Sequence, residues 1–157
     1  MKLNVRRDDI DFGTNILEVK VPKELRNKCA TGLDYIDTTL GGHGFTPSMV
    51  TMFTGTPGAG KTTMMLIMAD SLAKQGKLVV FNTAEESLHQ VKMVVERLGL
   101  KNGFMVGQET HTPTLLEKCD AIRNKRGNKN KQFVLIVDSL QCMEDGQYSY
   151  INSRTPE

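Results

Sequence analysis

Residues 55–62 have the residue types and the spacing of a loop that binds phosphate. They read Gly55-Thr56-Pro57-Gly58-Ala59-Gly60-Lys61-Thr62 and match the pattern G-x-x-x-x-G-K-[ST] in full. The glycines let the backbone curl so that successive N–H groups face phosphate oxygens, and the helix expected after the loop adds positive potential. Lys61 would neutralise the β- and γ-phosphates, and Thr62 would offer its hydroxyl to Mg²⁺. With Thr63 added, residues 55–63 are the predicted nucleotide-binding set, and Lys61 is also expected to assist catalysis.

A second motif, which carries a carboxylate, lies closer to the C-terminal end of the chain. Residues 133–138 read Phe-Val-Leu-Ile-Val-Asp, an apolar run that ends in Asp138. A buried strand that ends in aspartate is typical of a Walker B element, whose carboxylate holds the Mg²⁺ shell. Many buried strands end in aspartate only to begin a turn. The phosphate loop favours the metal role, so Thr62 and Asp138 are the predicted Mg²⁺ residues.

Glu85 and Glu86 follow another apolar run, residues 78–81. Open α/β folds bind their ligands at the carboxyl ends of such strands, where one carboxylate could orient and deprotonate an attacking water. An equally weighted alternative is that both acids only stabilise the start of the next helix. Two adjacent carboxylates close to a phosphate are unfavourable without Mg²⁺, which favours a catalytic role for at least one of them.

The elements that would position these residues alternate between strand and helix. Apolar runs at 50–54, 78–81, 104–106 and 133–137 predict strands, and the long apolar pattern at 61–75 predicts a helix. Ser87 and Gln90 form a capping box before a second helix, and Thr112 with Pro113 opens a third that continues to about residue 123. Strands without polar alternation, separated by helices, predict a parallel sheet covered by helices on both faces.

The first part of the chain gives weaker signals. Leu17, Val19 and Val21 alternate and predict a short strand that ends at Pro22. Leu33, Ile36 and Leu40 recur at helical spacing behind Thr31, and the glycines at 41 and 42 predict the end of that helix. We therefore expect an N-terminal extension over residues 1–30 and an α/β core over residues 31–157.

Composition limits the function classes. The 157 residues carry a net charge of +2, which is too small to indicate nucleic-acid binding by itself. Three cysteines without metal-ligand spacing indicate reduced thiols, and no apolar stretch approaches the roughly 18 residues of a membrane span. A cytoplasmic protein without a membrane partner is expected. Residues 123–131 carry five cations and no acid, a run that fits nucleic acid but is more often a solvated loop.

These motifs together resemble the ATPase core of the bacterial RadA/Sms recombination-repair proteins. The resemblance rests on Thr31-Gly32-Leu33-Asp34, Leu40-Gly41-Gly42, residues 54–62, Thr83-Ala84-Glu85-Glu86-Ser87 with Val91, and Val137-Asp138-Ser139-Leu140-Gln141. It implies a RecA-like P-loop NTPase fold, ATP hydrolysis with Mg²⁺, action on single-stranded or branched DNA, and a homo-oligomer in the full-length form. It also implies that Glu85 is the catalytic base, while Glu86 matches the paired acids of the KaiC-type clock ATPases.

The sequence departs from that family in two ways. RadA/Sms proteins begin with a four-cysteine zinc ribbon that is absent here, and they continue into further strands after the Walker B strand. An excised portion or a truncated relative, with a sheet incomplete after Asp138, is therefore expected. Two other functions stay open. A nucleotide-binding scaffold would lack turnover, and a small P-loop kinase would need arginines after the Walker B strand, where Arg154 is the only one.

Overall fold

The computed structural model describes residues 10–145. The chain forms two compact units, Met1–Met52 and Phe53–Glu157. The expected boundary at residue 30 stays a prediction. The described elements, in chain order, are a 3-10 turn Ile16–Glu18, α1 Lys23–Arg26, α2 Asp34–Thr39, α3 Lys61–Lys74, β1 Leu78–Thr83, α4 Leu88–Arg97, β2 Met105–Gly107, α5 Thr112–Arg123, β3 Phe133–Asp138 and a second 3-10 turn Leu140–Cys142.

The first unit is organised around short helices and one antiparallel bridge. Cys29 and Phe45 exchange both backbone hydrogen bonds, with N···O distances of 2.8 and 2.9 Å. Gly44 is buried beside this bridge at φ +78°, and a Cβ there would lie 2.2 Å from the Cys29 carbonyl oxygen. Only glycine fits so close a backbone approach. The Asp37 carboxylate accepts the Thr31 N–H and hydroxyl, each at 2.9 Å, and so fixes the turn before α2.

The second unit contains a three-stranded parallel sheet in the order β2-β1-β3. All six residues of β1 are buried, because it is the central strand and its apolar sequence meets neighbours on every side. The ladder pairs Thr83 with Asp138 and Asn82 with Gly107, so the three strands end at one edge. The predicted parallel sheet is confirmed.

Helices cover the sheet on its two faces. Val80 of β1 packs in one core cluster with Leu115 and Cys119 of α5, and with half-buried side chains of β3. Burial raises the pKa of the Cys119 thiol, so this cysteine stays a neutral apolar core residue. The buried side chains of α3 do not belong to that cluster, and α3 packs against β1 and β3 from the other side.

Two predicted strands are absent from the structure. Residues 50–54 form no strand, and Val50 and Met52 are 95% and 68% exposed. Residues 17–21 also form none: the Asn15 side chain accepts the Leu17 N–H, and a 3-10 turn results. Strand-favouring composition is insufficient in both segments, because a strand requires a neighbouring chain for its hydrogen-bond ladder and neither segment has one among residues 10–145.

The remaining predicted elements agree with the structure within a few residues. The helices α3, α4 and α5 and all three strands lie where the sequence pattern places them, and both hydrogen bonds of the predicted Ser87–Gln90 capping box are present. No helix within residues 10–145 combines the length and the apolar character needed to cross a membrane.

Candidate active site

The glycine loop leads directly into α3. Gly58 and Gly60 have φ of +78° and +82°, a left-handed conformation that glycine adopts without steric cost. Both glycines are exposed and a Cβ at either would meet nothing within 4 Å, so the backbone conformation, and not a lack of space, favours glycine here. Gly60 is the N-cap of α3 and offers no side-chain hydrogen bond. The first backbone N–H groups of the helix are therefore directed at a site that suits an anion.

The Lys61 side chain folds back over this loop. Its Nζ donates to the carbonyl oxygens of Gly55 and Thr56, at 2.8 and 3.0 Å. The ammonium group is thereby held against the first two residues of the loop, while the Ala59 N–H donates to the Thr56 carbonyl at 3.2 Å and so closes the turn. A bound phosphate would only need to replace these two carbonyl bonds, and each is a modest net contribution in water.

The loop and the strand ends lie at the same edge of the sheet. The 14 residues of α3 span about 21 Å and the six of β1 about 20 Å. Residues 75–77 join the two elements, which pack against each other. Because the connection is so short, the start of α3 at Lys61 lies towards the end of β1 at Thr83.

Glu85 is held by the segment that follows β3. The Ser139 hydroxyl donates to Glu85 Oε2 at 3.2 Å, across 54 residues of sequence. Ser139 Oγ also lies 3.8 Å from Cys142 Sγ, but a hydroxyl has one proton and the carboxylate is the stronger acceptor. The Ala84 N–H donates to the Asp138 carbonyl at 2.8 Å, so the two strand ends are locked together. The structure thus brings Glu85 beside the residue that follows Asp138.

Glu86 is held differently from Glu85. Its N–H donates to the Thr83 hydroxyl at 3.0 Å, and that hydroxyl donates to the Glu86 carbonyl at 2.8 Å. These bonds fix the backbone of Glu86 but not its carboxylate. Between residues 10 and 145 the Glu86 carboxylate makes no hydrogen bond or ion pair, and it lies one residue before the N-cap Ser87 of α4.

A buried asparagine connects the end of β1 to the segment that follows β2. Asn82 is fully buried; its Nδ2 donates to the Glu109 carbonyl at 2.8 Å, and its Oδ1 accepts the Glu109 N–H at 3.0 Å. Gly107 pairs with Asn82 in the ladder between β1 and β2, and a Cβ at Gly107 would lie 3.0 Å from Asn82 Oδ1. The Lys118 ammonium hydrogen-bonds the Glu109 carboxylate at 2.6 Å and holds its pKa below the usual value. The Glu144 N–H donates to the Thr110 carbonyl, and the Glu144 carbonyl accepts the Thr112 N–H. These two bonds connect the segment after β2 to the segment after β3.

Ser139 and Asn82 support the site, although no motif of the sequence predicts a role for either of them. Asn82 leaves one signal, a polar amide within an otherwise apolar strand, because a buried amide must have hydrogen-bond partners. Ser139 leaves only its position directly after the strand aspartate.

The two predicted metal residues have the chemistry that Mg²⁺ prefers. Thr62 offers a hydroxyl and Asp138 a carboxylate, both oxygen donors, and both side chains are half-buried. No group of three or more His, Cys, Asp or Glu residues within the described part could enclose a metal. The two oxygen donors fit Mg²⁺, which keeps several waters and shares substrate phosphates.

Comparison with known protein families gives one match, which covers residues 29–142 and is described as "ATPase: KaiC". The chain belongs to this ATPase family. The match includes the glycine loop, all three strands and Ser139, and it agrees with the RecA-like fold.

Several curated relatives carry the name DNA repair protein RadA. The chain is 30% identical over 122 residues to the one from Mycobacterium tuberculosis, covering 76% of this chain and 24% of that protein. It is 36% identical to the Campylobacter jejuni protein over 111 residues, 69% of this chain and 22% of the relative. It is 32% identical to the Aquifex aeolicus protein over 122 residues, which is 77% of this chain and 25% of that protein. The resemblance to RadA is therefore confirmed, and the chain spans about a quarter of the length of these relatives.

Proposed function

We propose that this chain binds ATP with Mg²⁺ at residues 55–63 and forms the hydrolytic core of a RadA-like ATPase that acts on DNA. The observation that carries the proposal is the exposed glycine loop at the start of α3, with the Lys61 ammonium hydrogen-bonded to its Gly55 and Thr56 carbonyls. A glycine loop at a helix N-terminus that also holds one lysine ammonium is suited to the phosphates of a nucleotide and to few other ligands.

The main predicted site residues have distinct roles in this proposal. Loop N–H groups at Gly58, Gly60 and Lys61 bind phosphate oxygens, and the Lys61 ammonium neutralises the terminal phosphates. Thr62 and Asp138 hold Mg²⁺, which when bound shields the phosphate charge from the attacking water. Glu85, oriented by Ser139, accepts a proton from that water, while Glu86 stabilises the start of α4.

DNA as partner is proposed from the names of the relatives, with single-stranded or branched DNA as the substrate form. A homo-oligomer in which a neighbouring subunit completes the site, and a cytoplasmic location, are proposed on the same resemblance. ATP turnover measured with and without single-stranded DNA tests this part. Binding without turnover in the longest form of the protein would favour a scaffold, and phosphate transfer to a small molecule would favour a kinase.

Isothermal titration with MgATP tests the nucleotide site. Lys61→Ala should abolish tight binding, because the phosphates lose their principal counter-charge. The matched control is Lys74→Ala, which removes an exposed cation from the last turn of the same helix and should leave the ATP affinity at the parental value. Parental affinity in Lys61→Ala would refute the assignment of the loop.

A further inference from the structure

The nine residues from Arg123 to Lys131 connect α5 to β3 and therefore lie at the amino ends of the strands. They include five of the 20 lysine and arginine residues of the chain and none of its 18 acids. The chain as a whole is almost neutral, so the positive charge is concentrated locally. The Asn128 side chain donates to the Ile122 carbonyl at 3.0 Å, which fixes the loop back onto the end of α5.

Most of these cations have no carboxylate partner. Arg123 pairs with Asp120 at 3.4 Å and lies over the Phe133 ring, 5.6 Å from its centroid. In the part of the chain from residue 10 to residue 145, the other four cations of the loop are in no ion pair. Unpaired cations in one fixed loop produce a local positive potential that attracts anions.

Two cavities open on this loop. The first, about 420 Å³, is lined by Asn124, Arg126, Gly127, Lys129 and Asn130, with no carboxylate and no apolar side chain. The second, about 320 Å³, lies at the amino ends of β1 and β2. Its lining includes Lys77 and Lys131 together with Phe104 and Met105. Cations therefore face both cavities, and an apolar wall is present in one.

We propose that this loop and its two cavities, the amino-edge surface, bind the phosphate backbone of a single-stranded nucleic acid. The inference rests on the DNA partner of the proposed function and assigns a surface to it. Cations and amides are the groups that contact phosphates, and the apolar wall at Phe104 and Met105 suits an unstacked base. A protein partner would require an apolar centre, and no apolar side chain is among the residues that line the first cavity.

The amino-edge surface lies at the opposite end of the strands from the glycine loop. The six residues of β1 separate the two edges by about 20 Å. A nucleotide and a nucleic acid could therefore bind at the same time without competing for any side chain. Loss of one ligand should leave the direct contacts of the other intact.

Fluorescence anisotropy with a labelled oligothymidylate over a salt series tests the surface. The variant Lys125→Gln/Arg126→Gln/Lys129→Gln removes three cations from it. Since each phosphate contact contributes about 0.7 to the slope of log K against log salt for single strands, the slope should fall by about 2. The matched control Lys20→Gln/Lys23→Gln/Arg26→Gln removes three exposed cations from the first unit and should keep the parental slope. An equal loss of slope in both variants would overturn the proposal.

Two further arms separate the possible failures. MgATP titration of the loop variant should give the parental affinity, which shows that the fold and the nucleotide site are intact. If the unmodified chain binds MgATP but no oligonucleotide, this inference is wrong and the nucleotide site is unaffected. The last arm is competition by polyglutamate. If polyglutamate displaces the labelled oligonucleotide with the same efficiency as unlabelled oligothymidylate, the surface binds acidic protein and the proposal is overturned.

Discussion

Glu85 and Glu86 are neighbours in sequence, but different groups hold them. Ser139 contacts the carboxylate of Glu85, whereas Thr83 contacts only the backbone of Glu86. A carboxylate that acts as a general base must be held in one direction, and within residues 10–145 a side-chain contact holds the Glu85 carboxylate but not that of Glu86. At the scale of single residues, the hydrogen bonds distinguish two acids that the sequence motif alone treats as a pair.

Glu85→Gln should keep MgATP binding and slow hydrolysis about 10²- to 10⁴-fold, the usual loss for a general base. Glu86→Gln should have the smaller effect and is the matched control. Bound and hydrolysed nucleotide should be measured in the same samples of the longest available form. Parental rates for Glu85→Gln with an inactive Glu86→Gln would reverse the two roles, and parental rates for both would exclude this pair from catalysis.

Ser139→Ala should lower kcat without changing KM, because the lost hydrogen bond orients the base and does not touch the nucleotide. A hydrogen bond to a charged group is worth about 1.5–3 kcal/mol, which corresponds to a roughly 10- to 150-fold loss of rate as an upper bound at this exposed site. Ser139→Thr keeps the hydroxyl and should restore most of the rate. A rise in KM with unchanged kcat, or no rescue by threonine, would contradict the positioning role.

At the scale of elements, the Asn82 side chain links β1 to the segment that follows β2, next to the backbone ladder that joins the two strands. Asn82 and Gly107 depend on each other, because the amide fills the space in which a larger residue would place its Cβ. We expect Asn82→Ala to reduce the free energy of unfolding by about 1–3 kcal/mol, since both Glu109 backbone groups lose a partner. Urea unfolding measures this loss.

Gly107→Ala should also destabilise the protein, because its Cβ would approach Asn82 Oδ1 at 3.0 Å. In the Asn82→Ala background the same substitution should cost much less, since the obstructing amide is gone. The two losses should therefore be non-additive. Strict additivity in this double-mutant cycle would show that the amide does not set the requirement for glycine.

Sequence periodicity predicts most elements of the second unit because apolar runs mark them, whether the element is buried, as β1 is, or largely exposed, as β2 is. It does not predict that residues 50–54 remain outside the sheet, because pairing depends on a neighbouring chain and not on composition. The glycine loop is predictable residue by residue, because its spacing encodes its backbone. The roles of Ser139 and Asn82 depend on the register of the parallel strands. That register brings Ser139 to Glu85 across 54 positions of sequence and Asn82 to Glu109 across 27 positions.

At the scale of the whole molecule, nucleotide binding should raise the thermal stability of the unit Phe53–Glu157. A ligand at 100 times its Kd adds about 2.7 kcal/mol to the free energy of unfolding, and the Tm should rise by about 5–10 °C. Scanning fluorimetry with MgATP, with Mg²⁺ alone and with Lys61→Ala provides the comparison. This measurement needs no turnover. An equal rise of Tm in Lys61→Ala would show that the nucleotide binds elsewhere.

The Asn82 side chain offers Glu109 one donor and one acceptor, the same pair of groups that a peptide unit of a neighbouring strand would offer. Glu109 lies two residues beyond the end of β2, in a segment without regular secondary structure. Its amide proton should nevertheless be withdrawn from solvent for as long as the sheet stays closed. In deuterated water, the Glu109 amide should therefore exchange at the rate of the strand amides, and Asn82→Ala should return it to the rate of an open loop.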